Sequence, residues 1–254
     1  MFKRFRSGLA VLTLIVVCSS VAIAEEASKI EFEVTADFYS KYIWRGINVN
    51  DDYVFQPGIS ATYKGLTAGV WGNLDLTDYL GEEGEFSEVD YYLDYSAEVP
   101  GIDGVSYSVG LINYHFPSLV GDTTEVYWGL AFDLPLSPMF TVYHDIDEID
   151  GTYASFAVGH EFGTVADLGG GVEVGMDFGA SLGLGDSDYN TDYWGTKDAA
   201  LNDLALSVSF PFKVAGFSVS PSLNYVSIMD GGLRSADGAS SDYFFTGISL
   251  SKSF

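Results

Sequence analysis

Polar and apolar side chains alternate along most of the chain, and the alternation is clearest over residues 88–99. The odd positions of this stretch carry aliphatic, aromatic or small residues, and the even positions carry polar ones: Glu88, Asp90, Tyr92, Asp94, Ser96 and Glu98. Successive side chains of a strand point to opposite faces of the sheet. The pattern therefore predicts a strand with one acidic face and one apolar face.

The same alternation recurs along the chain and predicts an all-β fold of about twelve strands, at 30–47, 54–64, 66–77, 88–99, 105–116, 125–134, 139–146, 152–162, 172–184, 202–212, 217–228 and 242–254. Most of these segments have about ten residues, which is enough to span the hydrocarbon of a bilayer when a strand is tilted near 45°. No helical pattern or linker divides the chain into further domains.

The predicted connections differ in length in a regular way. Short turns are expected at 64–65, 100–104, 135–138 and 214–216, and longer polar loops at 78–87, 185–201 and 229–241. Short turns at one end and longer loops at the other are typical of an even-stranded transmembrane barrel, whereas a soluble sandwich has no reason to sort its loops. The pattern predicts a single antiparallel transmembrane β-barrel over residues 25–254.

The first 24 residues have the features of a secretory signal peptide. A basic start is followed by a short apolar run and by the small-residue site that ends at Ala24. Cys18 is the only cysteine and lies in this segment, and Val17 before it does not fit a lipidation site. Cleavage after Ala24 would leave a chain without disulfides or zinc–thiolate sites.

The charge balance excludes some partners. Removal of Lys3, Arg4 and Arg6 leaves eight of the 11 basic residues against 36 acidic ones, a formal net charge near −28. Such a chain is repelled by nucleic acids and by anionic lipid surfaces. We therefore expect no nucleic-acid partner. Outer-membrane lipid and lipopolysaccharide are expected around the protein because of the apolar outer faces of the predicted barrel, and not because of its net charge.

The end of the sequence supports the same location. Apolar residues alternate toward Phe254. Lys252 departs from this pattern, but its long side chain could place the amine at the membrane interface. This end resembles the terminal strand that the barrel-assembly machinery of the bacterial outer membrane recognises. We therefore expect export through the periplasm and assembly through Phe254.

Two segments of the first three predicted strands carry a family resemblance. They are D-F-Y-S-K-Y-I-W-R-G at 37–46 and Q-P-G-I-S-A-T-Y-K-G-L-T-A-G-V-W-G at 56–72. Both resemble the TorF-type porin family of Gram-negative outer membranes, and the MltA-interacting and OmpV-like barrels share the wider pattern. The resemblance implies outer-membrane location and transport, without a defined substrate.

The inward faces of such a barrel would carry its chemistry. By parity, the predicted pore-lining residues are Lys41, Arg45, Glu88, Asp90, Asp94, Glu98, Glu125, Glu173 and Asp177. An acidic, water-filled lumen with a small basic strip from the first strand would concentrate cations. We predict a porin-like channel for passive passage of small hydrophilic solutes, with cation preference. Trp44 and Trp128 are expected in the interfacial aromatic belt.

The sequence is also compatible with other functions. The inward charges could neutralise one another and fill the barrel, which would then act as a scaffold or adhesion protein through its loops. A hydrolase would need a nucleophile–histidine pair, and the isolated His115, His144 and His160 suggest none. We predict that the protein is not an enzyme and needs no cofactor.

One loop has a weak resemblance to a calcium site. Oxygen-bearing side chains occupy alternate positions there: Asp186, Asp188, Asn190 and Asp192. Thr191 stands where an EF-hand needs glycine, and Lys197 where it needs a bidentate glutamate, so an EF-hand is excluded. A loop calcium site and a solvated acidic loop are the two remaining interpretations.

Overall fold

A computed structural model describes residues 29–81, 83–117, 121–237 and 241–254; the predicted signal peptide, with Cys18, lies outside the described residues. The chain forms β1 (Glu31–Tyr39), β2 (Tyr42–Trp44), β3 (Ile47–Asn50), β4 (Val54–Tyr63), β5 (Leu66–Asp75), β6 (Phe86–Glu98), β7 (Val105–His115), β8 (Thr123–Phe132), β9 (Met139–Asp145), β10 (Thr152–Asp167), β11 (Glu173–Gly185), α1 (Ser187–Trp194), β12 (Ala200–Ser209), β13 (Phe212–Val214), β14 (Phe217–Ile228), α2 (Gly231–Asp237) and β15 (Asp242–Ser253).

Twelve long strands close into one antiparallel barrel. Each pairs with its neighbours in the order β1, β4 to β12, β14 and β15, and β15 returns to pair with β1 through contacts such as Phe38 opposite Ile248. The short β13 adds pairing to β11 and β14 at one turn. Closure leaves no free sheet edge around the ring, which confirms the predicted all-β barrel of about twelve strands.

The apolar faces point outward and the acidic faces inward. Val109 and Trp128 are each 46% exposed on the outside, whereas Glu88 and Glu125 are each 2% exposed on the inside. A closed barrel satisfies its backbone hydrogen bonds internally, and an outer belt of aliphatic and aromatic side chains is stable against lipid. Of the two helices in the described part of the chain, neither is long and apolar enough to cross a membrane.

The predicted first strand over 30–47 is too long. β1 ends at Tyr39, and the chain then forms the separate two-stranded sheet β2–β3. Arg45 and Gly46 make the turn of this hairpin with φ values of 44° and 83°. Two successive residues with positive φ form the tight turn that suits the twist of a hairpin. The sequence carried a sign of this break, since Ile43 interrupts the alternation.

The long connections gather at one end of the barrel and contain its aromatic core. The loop after β11 forms α1, and the loop after β14 forms α2, at positions where the sequence predicted irregular loops. The core joins these helices to the β2–β3 hairpin through Trp44, Tyr189 and Leu233. The predicted short turns lie at the opposite end, so the two ends of the lumen differ.

Candidate functional site

The hairpin formed by residues 42–50, here called the plug hairpin, is folded into the lumen at the long-loop end. Tyr42, Ile43 and Trp44 are all buried, and so are Arg45 and Gly46 at the turn that follows them. The ring of Tyr42 lies 5.9 Å from that of Trp71 on β5, and the ring of Trp44 lies 5.0 Å from that of Tyr193 on α1. The hairpin therefore packs against both the barrel wall and α1.

Arg45, at the tip of the plug hairpin, forms a buried ion pair with Glu125 of β8. Its Nη1 and Nη2 atoms donate to the two carboxylate oxygens of Glu125, each at 2.8 Å, and both side chains are 2% exposed. The hydroxyl of Tyr114 on β7 donates to the same carboxylate at 2.8 Å. A two-point contact of this kind fixes both distance and orientation.

Aromatic rings enclose the guanidinium of Arg45. Its central carbon lies 4.3 Å from the ring centroid of Tyr153, 4.5 Å from Tyr143, 4.7 Å from Trp44 and 5.8 Å from Tyr189. Rings within about 6 Å of a cation attract it, most strongly where water is excluded. We call the set of Glu125, Tyr114, Tyr143, Tyr153, Tyr189 and Trp44 the guanidinium cage.

The barrel strands position the cage. Tyr143 on β9 and Tyr153 on β10 are direct partners across the two strands, so both rings point into the lumen side by side. The Tyr153 hydroxyl donates to Asp203 of β12 at 2.8 Å, which fixes its ring. Gly183 lies beside this pair, because a Cβ there would overlap the Tyr153 hydroxyl oxygen. The glycine leaves the space that the tyrosine occupies.

A second polar contact holds the base of the plug hairpin. The Tyr42 hydroxyl donates to Glu88 of β6 at 3.2 Å. Asp90, two residues further along β6, shares the inward face and is 3% exposed. Together with Glu125, these side chains place three inward carboxylates beneath the hairpin. Four of the predicted site residues, Arg45, Glu88, Asp90 and Glu125, thus belong to one region.

The other predicted acidic residues lie elsewhere in the barrel. Asp94 accepts a hydrogen bond from the Tyr127 hydroxyl at 2.8 Å in the middle of the lumen wall. Glu98 is exposed near the short-turn end of β6, and Glu173 is exposed at the start of β11, where it accepts from Thr164 at 3.0 Å. Asp177 is half-buried further along β11. The barrel does not bring these four together.

The prediction that Lys41 and Arg45 form an inward basic strip on the first strand is wrong. Lys41 follows the end of β1 and pairs with Asp51 at the surface of the long-loop end. The hydrogen bond from Lys41 lowers the pKa of Asp51. Arg45 does enter the lumen, but on the plug hairpin, because the chain turns inward after β1.

The expectation that Trp44 lies in the interfacial aromatic belt is wrong, and the same expectation for Trp128 stays a prediction. Trp128 is on the outer face, whereas Trp44 is fully buried in the guanidinium cage. Sequence reasoning also missed the tyrosines of the cage. Parity along the strands gives the inward direction of Tyr114, Tyr143 and Tyr153, but it does not reveal which loop residue they would meet.

The calcium candidates belong to a helix rather than to an open loop. Asp186 is the N-cap of α1 and accepts from the backbone N–H groups of Asp188 and Tyr189 at 3.1 and 2.8 Å. Asn190 is buried and binds the Gly185 carbonyl and Asn202. Side chains two positions apart lie on opposite sides of a helix, so Asp186, Asp188, Asn190 and Asp192 do not converge. Across the described ranges, no three His, Cys, Asp or Glu side chains form a metal-binding group.

The N-cap gives a pH-dependent prediction for α1. Burial raises the pKa of Asp186, but hydrogen bonds from the backbone N–H groups of Tyr189, Thr152 and Asp188 outweigh it and lower the pKa below its ordinary value of 3.8. Its carboxylate therefore contributes stability above pH 3.8, which is lost as the pH falls through the lower folded-state pKa. We expect Asp186→Ala to reduce the free energy of unfolding in urea by about 1 kcal/mol at pH 6, and by less at pH 3.

Asparagine is the matched control at position 186, because it caps a helix about as well as aspartate but does not titrate in this range. Asp186→Asn should stay close to the wild type at pH 6. An Asp186→Ala deficit that is equally large at pH 3 would show that the charge of Asp186 does not contribute.

Fold and site together define a class: a transmembrane β-barrel that carries a charged plug inside its lumen. The chain belongs to the bacterial family of unknown function Gcw_chp, whose family model matches residues 23–190. No curated protein sequence matches the chain. The TorF-type resemblance of residues 37–46 and 56–72 stays a prediction.

Several solved structures match the chain at low similarity. The NanC porin is 11% identical, with 87% of this chain and 97% of that chain covered and a TM-score of 0.48. LpxR from Salmonella typhimurium is 9% identical, with 87% and 99% covered and a TM-score of 0.45. An outer-membrane channel from Pseudomonas putida F1 is 9% identical, with 89% and 95% covered and a TM-score of 0.43. The strand pairing of this chain, rather than these likenesses, establishes its barrel.

Proposed function

We propose that the protein is a porin-like outer-membrane channel for passive passage of small hydrophilic solutes. The observation that carries the proposal is the lining of the lumen toward the short-turn end. Small side chains meet there: a Cβ on Gly129 would contact Ser108 and Thr141, and one on Gly179 would contact Ser207. Small polar side chains leave width for water, which a barrel filled only for stability would not need.

The charges in this half of the lumen favour cations. Asp94 and Asp177 face the interior, and neither takes part in the ion pairs formed among the described residues. Carboxylates without a cationic partner attract mobile cations and repel anions in a narrow aqueous space. Cation preference therefore follows from the proposed open path.

The plug hairpin controls this path at the long-loop end. Its two strands hydrogen-bond to each other in a sheet of their own and not to the barrel ladder. Side chains such as Arg45 and Tyr42 connect it to the wall. The hairpin can move without breaking the barrel, and its movement would connect the two ends of the lumen.

The same proposal includes the surroundings of the barrel. Lipid and lipopolysaccharide would cover the outer apolar belt. β15 closes the ring against β1, and the backbone of Phe254 exchanges hydrogen bonds with that of Phe32 at 2.9 and 3.3 Å. Assembly of the last strand through Phe254 would thus complete the barrel.

Ion selectivity in planar bilayers tests the proposed function. In a potassium chloride gradient, the reversal potential should lie toward the potassium equilibrium potential. Asp94→Asn combined with Asp177→Asn should move it toward zero, because the unpaired lumen charge is removed. Glu83→Gln, on the exposed loop between β5 and β6, is the control with an equal change of charge and should leave it unchanged.

Two results would contradict the channel. One is anion selectivity. The other is absence of current from the folded wild type and from a variant whose plug hairpin has been released, such as Glu125→Gln. That second result would favour a closed barrel that acts as a scaffold or adhesion protein.

A further inference from the structure

The guanidinium cage belongs mainly to the barrel and not to the plug hairpin. Glu125, Tyr143 and Tyr153 come from β8, β9 and β10, and Tyr189 comes from α1. Only Trp44 among the cage residues lies on the hairpin. If the hairpin leaves, a carboxylate, the Tyr114 hydroxyl that donates to it and three further tyrosine rings stay in place around an empty space of guanidinium size.

The cage is chemically selective. A carboxylate that accepts two parallel N–H bonds matches the planar fork of a guanidinium and not the single point charge of an ammonium. Tyrosine faces add attraction for a flat cation that stacks on them. Loss of a buried partner would leave Glu125 without compensation, so the site favours any guanidinium that can replace Arg45.

Arg45 does not use the site completely. Its Nε atom is buried and has no hydrogen-bond acceptor among the described residues. The residue also sits at φ 44°, in the left-handed region that non-glycine residues rarely adopt. Because Arg45 is attached to the plug hairpin, its guanidinium enters the cage with the Nε donor unsatisfied and with an unfavourable backbone conformation. A free ligand would not have this conformational cost.

We propose that the guanidinium cage is a binding site for solutes that carry a guanidinium group, and that Arg45 occupies it in their place when the channel is closed. A guanidinium-bearing solute competes with Arg45 for Glu125 and the tyrosine rings, and its binding frees the plug hairpin. The inference rests on the proposed channel function, because it names a solute class for the same lumen.

The test uses Arg45→Ala protein, in which the cage has no tethered occupant. Methylguanidinium is the probe, and methylammonium is the matched cation without the planar fork. Methylguanidinium at millimolar concentration should raise the thermal unfolding temperature of the folded variant and block its current. Methylammonium should need at least about tenfold higher concentration for the same effects. The wild type, with its cage filled, should show a smaller thermal shift.

Combined Arg45→Ala and Glu125→Gln should abolish the difference between the two cations. Refolding is judged by the heat-dependent gel mobility of barrels. Where Arg45→Ala does not refold, Arg45→Lys replaces it, because lysine fills position 45 but lacks the planar guanidinium fork. Equal responses to the two cations, or no thermal shift of a folded variant, would overturn the cage proposal.

The two proposals fail separately. A thermal shift with methylguanidinium but no current from any variant would keep the binding site and reject the channel. A cation-selective current without any preference for methylguanidinium would keep the channel and reject the site.

Discussion

Glu125→Gln is expected to release the plug hairpin and raise the single-channel conductance several-fold. The substitution keeps the size of the side chain but removes the charge that Arg45 faces inside the lumen. Removal of one partner from a buried ion pair leaves the other charge uncompensated and costs about 3–5 kcal/mol. The hairpin can avoid part of this cost by moving into water, because its backbone is not hydrogen-bonded to the barrel strands.

Two quantities are measured on the same preparation: the single-channel conductance and the free energy of unfolding in urea. The double variant Arg45→Ala with Glu125→Gln should lose less stability than the summed losses of Arg45→Ala and Glu125→Gln, because it leaves no buried charge without a partner. Glu83→Gln removes a carboxylate from an exposed loop of the same barrel and should change neither quantity. Unchanged conductance together with unchanged stability in Glu125→Gln would show that the ion pair does not hold the hairpin.

Val109→Arg is expected to destabilise the barrel by about 2–4 kcal/mol in lipid, because a charge near the middle of a lipid-facing strand loses its hydration. Val109 lies near the centre of β7 and is exposed on the outer face. Reversible unfolding from lipid vesicles in denaturant gives the free energy difference from the wild type.

Ser108→Arg is the matched variant, one residue away on the same strand. Ser108 points inward, since its hydroxyl oxygen lies 2.9 Å from where a Cβ on Gly129 would be. An arginine there extends into the proposed aqueous lumen and should cost less than about 1 kcal/mol. Equal losses at 108 and 109 would contradict the assignment of one face to lipid and the other to water.

The alternation of residue types was enough to predict the barrel wall. It assigned Val109 to the outer face and Glu88, Asp90 and Glu125 to the inner face, as the structure shows. This works because a strand has a side-chain period of two, so one correct residue fixes the direction of the rest. The alternation of short turns and longer loops along the chain then predicted that consecutive strands are antiparallel neighbours.

The path of the chain inside the lumen could not be predicted in the same way. Alternation describes a strand in the wall, and the plug hairpin is not part of the wall. Arg45 therefore appeared to be on a long first strand, and Trp44 at the membrane interface. Ile43, which breaks the alternation, and Arg45-Gly46, which suits a tight turn, are the two local signals that indicate a hairpin.

The start of helix α1 carries two conflicting sequence signals. Asp186 followed by Ser187 and Asp188 has the composition of a helix start, with a capping aspartate and acid in the first turn. The alternate oxygens of the same segment suggested a loop that could hold calcium. The buried tyrosine and asparagine of α1, Tyr189 and Asn190, pack against the barrel, and this tertiary contact is not visible in a single sequence.

The central claim is that ions pass through the inside of this barrel once the plug hairpin is released. Cysteines at Ser108 and Val109, each in the Glu125→Gln background, test it most directly, and Cys18 is the only natural cysteine. A cationic, membrane-impermeant thiol reagent added during a bilayer recording should reduce the current of Ser108→Cys and leave that of Val109→Cys unchanged. A current that persists unaltered in modified Ser108→Cys, or that falls in Val109→Cys, would contradict the account.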